Sequence, residues 1–136
     1  MTHETAIVSS DARIGENVEI GPYVVVEGDV EIGDGSKLDS HAIVKSGSRI
    51  GKDVSVGNYV VIGGLPQDLG FDPAMRTYAI IGDGTELREG ATVNRATQRE
   101  GATVIGENCY LMAQSHVGHD CILGEQVVLA NVAMVA

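Results

Sequence analysis

Aliphatic side chains recur at every sixth position along most of this chain. Two series of ten positions, separated by a change of phase, contain nineteen aliphatic residues, and only Arg99 departs from the pattern. The first series is Val8, Ile14, Ile20, Val26, Ile32, Leu38, Val44, Ile50, Val56 and Ile62; the second is Ile81, Leu87, Val93, Ile105, Leu111, Val117, Leu123, Leu129 and Val135. A period of six is neither that of an α-helix nor the alternation of a long strand.

Each six-residue unit (hexad) predicts a short strand followed by a turn. The residue two before each aliphatic position is almost always small or β-branched. Because residues two apart on a strand face the same side, both point inward. Three hexads close a triangular coil, and successive coils stack at about 4.8 Å. We therefore predict one all-β domain over residues 1–136, a triangular prism of parallel coils with glycines at its corners: Gly15, Gly33, Gly51 and Gly82.

The repeat is interrupted twice. Ile62 and Ile81 are 19 residues apart, one more than the length of a full coil. The segment between them contains two prolines and no repeat. We interpret residues 65–77 as a projecting loop and as a functional candidate, because such a loop adds nothing to solenoid packing. A second stretch, residues 94–102, keeps the phase and is either a loop or a polar hexad.

Charge excludes some functions. The 19 acidic and 9 basic residues give a net charge of -10, which argues against nucleic-acid binding. Four of the basic residues, Arg76, Arg88, Arg95 and Arg99, suggest a local site for an anionic ligand, although any single one of them is better explained as a solvated surface residue. The chain has no apolar run of the roughly 20 residues that a membrane span needs and no secretory signal at its N-terminus.

Three polar residues in one turn carry the candidate chemistry. His116 lies between two inward residues and so points outward, and His119 and Asp120 lie near the corner and also point outward. Imidazole transfers protons near neutral pH, and a neighbouring carboxylate can hold its tautomer. Spacing alone leaves two interpretations open, a proton-transfer site or two solvated surface histidines. Cys109 and Cys121 fill small inward positions, as buried thiols in a reducing cytosol would.

The hexads resemble the hexapeptide-repeat family, which folds as a left-handed parallel β-helix. Within that family, three segments resemble the acyl-carrier-protein-dependent UDP-N-acetylglucosamine O-acyltransferases, which take the first step of lipid A biosynthesis within the lipopolysaccharide pathway. These segments are Pro66-Gln67-Asp68-Leu69, His116-Val117-Gly118-His119-Asp120-Cys121 and Leu129-Ala130-Asn131. The resemblance extends over essentially all 136 residues and also includes Arg88-Glu89 and Thr92-Val93-Asn94-Arg95.

The resemblance implies a role for each matching residue. His119 would be the general base that deprotonates the sugar 3-hydroxyl, and Asp120 would orient it. Gln67, Asp68, His116 and Asn131 would bind the substrate. It further implies a cytoplasmic homotrimer with sites between neighbouring prisms, acyl carrier protein bearing a 3-hydroxyacyl chain and UDP-N-acetylglucosamine as partners, and neither a metal nor a cofactor.

The chain departs from the family pattern in three ways. Gly70 stands where the family usually has a lysine, and Asn94 where it usually has a histidine. The family also continues with further coils and a C-terminal helical domain, which are absent after Ala136. We therefore expect this chain to be the N-terminal part of such an enzyme. The resemblance does not imply that this part is active on its own.

Three other functions remain open at this stage. The related N-acyltransferase carries an extra N-terminal domain, whereas hexads begin here by residue 8. A zinc carbonic anhydrase of the same fold needs three histidines, and His116 and His119 supply two. The chain could also be a non-catalytic β-helix fragment.

Overall fold

Nineteen short strands make up the secondary structure. The computed structural model describes residues 1–136 and contains no helix, so no helix could span a bilayer. In chain order the strands are β1 (Ile7–Val8), β2 (Arg13–Ile14), β3 (Glu19–Ile20), β4 (Val25–Val26), β5 (Glu31–Ile32), β6 (Lys37–Leu38), β7 (Ile43–Val44), β8 (Ser48–Ile50), β9 (Ser55–Val56), β10 (Val61–Gly64), β11 (Tyr78–Ile81), β12 (Glu86–Leu87), β13 (Thr92–Asn94), β14 (Ala102–Ile105), β15 (Tyr110–Leu111), β16 (His116–Val117), β17 (Ile122–Leu123), β18 (Val128–Leu129) and β19 (Met134–Val135).

Every third strand joins the same parallel sheet, which gives the prism three faces. The first face is β1-β4-β7-β10-β13-β16-β19, the second is β2-β5-β8-β11-β14-β17, and the third is β3-β6-β9-β12-β15-β18. Strands pair with the coil above and below, as where Ile7 is opposite Val25 and Val25 is opposite Ile43. This confirms the predicted left-handed parallel β-helix with three hexads per coil.

The interior is the aliphatic column that the repeat predicts. One cluster of 24 buried residues runs along the axis and includes Ile32, Leu38 and Ile62. At the first coil Val8 is partly buried and Ile14 is 36% exposed, and at the other end Leu129 and Val135 are only partly buried, because a terminal coil has a neighbour on one side only.

The predicted corner glycines are also confirmed, and their cause is a close approach between coils. A Cβ atom on Gly33 would lie 2.6 Å from the backbone of Gly51, and one on Gly82 would lie 2.5 Å from the backbone of Gly106. No real Cβ atom tolerates such a distance, so a side chain at these corners would push adjacent coils apart.

Arg99 does not belong to the inward column. Thr92 pairs with His116, 24 residues on, whereas regular coils place partners 18 residues apart. The second interruption is therefore a six-residue insertion, and Arg99 lies exposed within it. The repeat keeps its phase there only because the inserted length equals one hexad.

Replacing Ile32 with alanine should destabilise the protein by about 2–5 kcal/mol, because the buried side chain leaves a cavity between stacked coils. Ile32 is 2% exposed, whereas Ile122 is 77% exposed on the outer side of the second face. Ile122→Ala is the matched control and should change the free energy of unfolding by less than about 0.5 kcal/mol. Urea denaturation of both variants checks this; equal effects would contradict the inward assignment.

Candidate active site

Both loops and the His119–Asp120 turn lie along one edge of the prism. This loop edge consists of the turns that join the first face to the second. Residues 65–77 connect β10 to β11, residues 95–101 connect β13 to β14, and residues 118–121 connect β16 to β17. These are three consecutive coils, so segments far apart in the sequence become neighbours along one line.

His119 and Asp120 form a hydrogen-bonded pair on this edge. His119 Nδ1 lies 2.8 Å from Asp120 Oδ2, and both side chains are partly exposed. An ionised carboxylate can only accept, so Nδ1 carries the proton in this pair. In the neutral ring Nε2 is then unprotonated and free to accept a proton from a substrate.

Asp120 is held as the ionised partner. Partial burial opposes its charge, but hydrogen bonds from the Thr97 side chain and backbone, together with contact with His119, outweigh this and lower the pKa of Asp120. Asp120 also adopts a left-handed backbone conformation, with φ of 64°, which aspartate tolerates better than most residues. The pair therefore has the polarity that a general base and its orienting carboxylate require.

His116 is on the first face, one turn before the pair. It is half-buried, and its Nδ1 lies 2.7 Å from the hydroxyl of Thr92 on the neighbouring coil. Thr92 fixes the direction of the ring, but a hydroxyl can donate or accept, so this contact leaves the tautomer of His116 open.

Gln67 and Asp68 are exposed near the tip of the loop at residues 65–77. Asp68 Oδ1 accepts a hydrogen bond from the Gly70 backbone N–H at 2.9 Å, which shapes the tip. Neither residue contacts His116 or His119 through a hydrogen bond or ion pair within one copy of the chain. Leu69 at the tip is fully exposed.

Arg95 anchors the base of that loop. Its guanidinium donates to the carbonyl of Pro73 at 2.9 Å and to that of Ser46 at 3.3 Å, and it lies over the Phe71 ring. Arg95 is only 9% exposed. Its guanidinium, which the sequence predicts to bind an anion or to be solvated, instead connects the loop to the preceding coil.

The four arginines do not form one basic patch. Arg76 pairs with Asp29 on the loop edge, and Arg99 is exposed without an ion pair. Arg88 is on the third face and pairs with Glu86 and Glu89. The four arginines therefore do not converge on one site, because Arg88 is on another face, Arg76 is paired and Arg95 is buried.

Asn131 lies exposed on the opposite edge of the first face, in the turn between β18 and β19. The first face therefore separates it from His119 within one copy. Cys109 and Cys121 are free thiols on different faces. No group of three or more His, Cys, Asp or Glu side chains is arranged to hold a metal ion.

One surface groove lies away from this site. It lies along the first coils, mainly on the third face, with Glu19, Lys37, Asp39 and Asn58 among its lining residues, whereas His119 is several coils away. A single prism therefore offers His119 an exposed edge rather than an enclosed pocket.

Sequence reasoning assigned no contact with His116, Asp120 or the first loop to Thr92, Thr97 or Arg95. Thr97 appeared to occupy an inward small position, because the six-residue insertion preserves the phase of the repeat. One feature of the sequence could have identified Thr97. Thr97 and Asp120 are 23 residues apart, which is close to the length of a coil enlarged by a six-residue insertion, so the two would lie on neighbouring coils.

Arg95→Ala should loosen the loop at residues 65–77 and lower the free energy of unfolding by about 1–3 kcal/mol, because it removes a buried guanidinium and its hydrogen bonds to part-buried carbonyls. Arg99→Ala is the control, since that side chain is exposed and unpaired, and it should have little effect. Limited proteolysis of the loop and urea denaturation check this. Equal cleavage of both variants would show that Arg95 does not anchor the loop.

Comparisons with known proteins agree with this architecture. The profile of the family described as bacterial transferase hexapeptide (six repeats) matches residues 11–46, 29–64 and 102–135. The chain is 38% identical to an acyl-[acyl-carrier-protein]–UDP-N-acetylglucosamine O-acyltransferase of Campylobacter concisus and 37% identical to one of Thermodesulfovibrio yellowstonii, each over 98% of this chain and 52% of the relative. The chain thus spans about half the length of the curated relatives it matches.

A solved structure shows the same likeness. A UDP-N-acetylglucosamine acyltransferase from Bacteroides fragilis superimposes with a TM-score of 0.96 at 40% identity, covering 100% of this chain and 53% of that one. The profile matches more than half of the residues and the fold agrees, so this chain belongs to the bacterial hexapeptide-repeat transferase family.

Proposed function

We propose that this chain forms part of an enzyme that transfers a 3-hydroxyacyl group from acyl carrier protein to the 3-hydroxyl of UDP-N-acetylglucosamine, the first step of lipid A biosynthesis. The observation that carries the proposal is the His119–Asp120 pair, which leaves Nε2 of the neutral imidazole free to act as a base. Relatives named for this activity, similar over nearly the whole chain, support the choice of substrates.

His119 acts as the general base of the transfer. A secondary hydroxyl is a poor nucleophile until its proton is removed. Nε2 takes that proton as the oxygen attacks the thioester carbonyl carbon. The carbon–sulfur bond then breaks, the ester forms, and the proton passes from the imidazolium to the departing thiolate of the carrier. Asp120 stabilises the imidazolium in between.

Gln67, Asp68, His116 and Asn131 bind the substrates in this proposal. The exposed tip of the loop presents an amide and a carboxylate, groups that hydrogen-bond sugar hydroxyls. The half-buried His116 is on the first face, beside the base. Asn131 lies across that face, so it reaches the same substrate as His119 if a neighbouring copy completes the cleft.

A homotrimer would supply that cleft, and the first face supports it. The outward side chains of its strands form one ladder in register and include no lysine, arginine, aspartate or glutamate. They are Ile7, Val25, Ile43, Val61, Thr92, His116 and Met134. The second face presents Arg13, Glu31 and Arg49, and the third presents Glu19, Lys37 and Glu86. A mostly apolar row of strand side chains on a chain of net charge -10 fits contact with other copies of itself.

The cytoplasm is the compartment proposed for this reaction. Both cysteines are free thiols, which is the state that a reducing compartment maintains.

An acyl-transfer assay tests the proposal. Residues 1–136 are assayed alone and joined to the remaining half of the Campylobacter concisus relative, with UDP-N-acetylglucosamine and 3-hydroxyacyl carrier protein as substrates. We expect the joined protein to form the 3-O-acylated sugar nucleotide. Binding of UDP-N-acetylglucosamine without transfer, in a folded and trimeric joined protein, would contradict the catalytic assignment.

A further inference from the structure

The carboxylate of Asp120 is held by a residue of the second loop. The backbone N–H of Thr97 donates to Asp120 Oδ1 at 2.9 Å, and the Thr97 hydroxyl donates to Oδ2 at 2.6 Å. His119 Nδ1 also contacts Oδ2, at 2.8 Å. Both carboxylate oxygens therefore have donors, and their direction toward His119 depends on Thr97.

The backbone and the side chain of Asp120 are fixed separately. Its N–H donates to the buried Thr103 hydroxyl at 2.9 Å, which holds the left-handed turn. That contact leaves the side-chain torsions free. Thr97 restrains the Asp120 carboxylate. Thr97 reaches this carboxylate only because six additional residues extend this coil at the loop edge.

No cation other than His119 pairs with Asp120. The second loop has three charged residues. Arg95 donates to the carbonyls of Ser46 and Pro73. Arg99 is exposed and unpaired, and Glu100 accepts from the Tyr78 hydroxyl. The second face contributes Thr103 at this point, and no lysine or arginine forms an ion pair with Asp120. The hydrogen-bond donors to the carboxylate are therefore uncharged. Its negative charge stays available to stabilise the His119 imidazolium that forms in catalysis.

We propose that Thr97 is a positioning residue for general-base catalysis: its N–H and hydroxyl hold the Asp120 carboxylate against His119 Nδ1, which leaves Nε2 as the basic nitrogen. This role rests on the proposed acyl transfer. It also gives a role to the six residues inserted one coil from the catalytic turn.

The test compares Thr97→Val, which removes the hydroxyl and keeps the shape, with Thr97→Ser, which retains the donor. Thr97→Ala removes the hydroxyl without adding a methyl group and repeats the test if valine disturbs the loop. Thr5→Val is the matched control, because Thr5 also has its hydroxyl beside a histidine, His3, but in the first coil.

Three readouts are measured on each protein. Carboxyl carbon NMR follows the titration of Asp120, imidazole nitrogen NMR reports the tautomer of His119, and kcat and KM are measured on the joined protein. In Thr97→Val and Thr97→Ala we expect the Asp120 titration to move to higher pH, because a donor to the charged form is lost. We expect His119 to populate both tautomers, and kcat to fall about tenfold with KM unchanged.

Thr97→Ser should restore all three readouts, and Thr5→Val should leave them at wild-type values. A purely structural role would change the free energy of unfolding without moving the tautomer or the Asp120 titration. Unchanged NMR signals in folded Thr97→Val and Thr97→Ala would overturn the proposal. If the signals move but the joined wild-type protein transfers no acyl group, the positioning of the pair stands and the acyltransferase function fails.

Discussion

Replacing His119 with alanine should lower kcat for acyl transfer by about 10²–10⁴-fold, with much less change in the binding of UDP-N-acetylglucosamine. The reaction needs a base near the sugar hydroxyl, and His119 is the histidine on the loop edge whose Nδ1 is occupied by a carboxylate. Steady-state kinetics and binding isotherms of the joined protein separate the two effects.

Two further variants distinguish the roles around His119. His116→Ala should raise KM more than it lowers kcat, because His116 contacts Thr92 rather than a carboxylate. Asp120→Asn should lower kcat and leave the fold intact, since its side chain is partly exposed. If His119→Ala kept near-wild-type turnover while His116→Ala abolished it, the base would be His116. If neither changed turnover, the mechanism would be wrong.

The fold was predictable from sequence because its cause is local and periodic. Each hexad encodes one strand, one inward aliphatic residue and one turn. The burial of Ile32 or Leu38 can therefore be predicted from its position in the hexad, without knowledge of distant contacts. The glycines follow for the same reason. Gly33 and Gly82 mark places where the next coil comes within van der Waals contact.

The site was only partly predictable, because its contacts depend on how many residues each coil contains. His119 and Asp120 are adjacent in sequence, and their pairing could be anticipated. Thr97 and Arg95 act through partners more than 20 residues away, across coils enlarged by loops. An insertion equal to one hexad keeps the period of six, so the sequence leaves residues 94–102 as either a loop or a polar hexad and places Thr97 at a small inward position.

Replacing Ile43 with glutamate should dissociate the proposed trimer and abolish acyl transfer. Ile43 points outward from the centre of the first face, between Val25 and Val61 on the neighbouring coils. A charge buried there would be desolvated without a partner, and three copies would place like charges close together. We expect the association constant to fall at least about 100-fold, as measured by sedimentation equilibrium.

Ser55→Glu is the matched control, because it adds the same charge at an exposed position on the third face. It should leave both the trimer and the transfer rate unchanged. Since His119 and Asn131 lie on opposite edges of the first face, a monomer cannot bring them to one substrate, so Ile43→Glu should lose activity together with assembly. A folded Ile43→Glu protein that remained trimeric would place the interface on another face, and an active monomer would show that one prism contains the whole site.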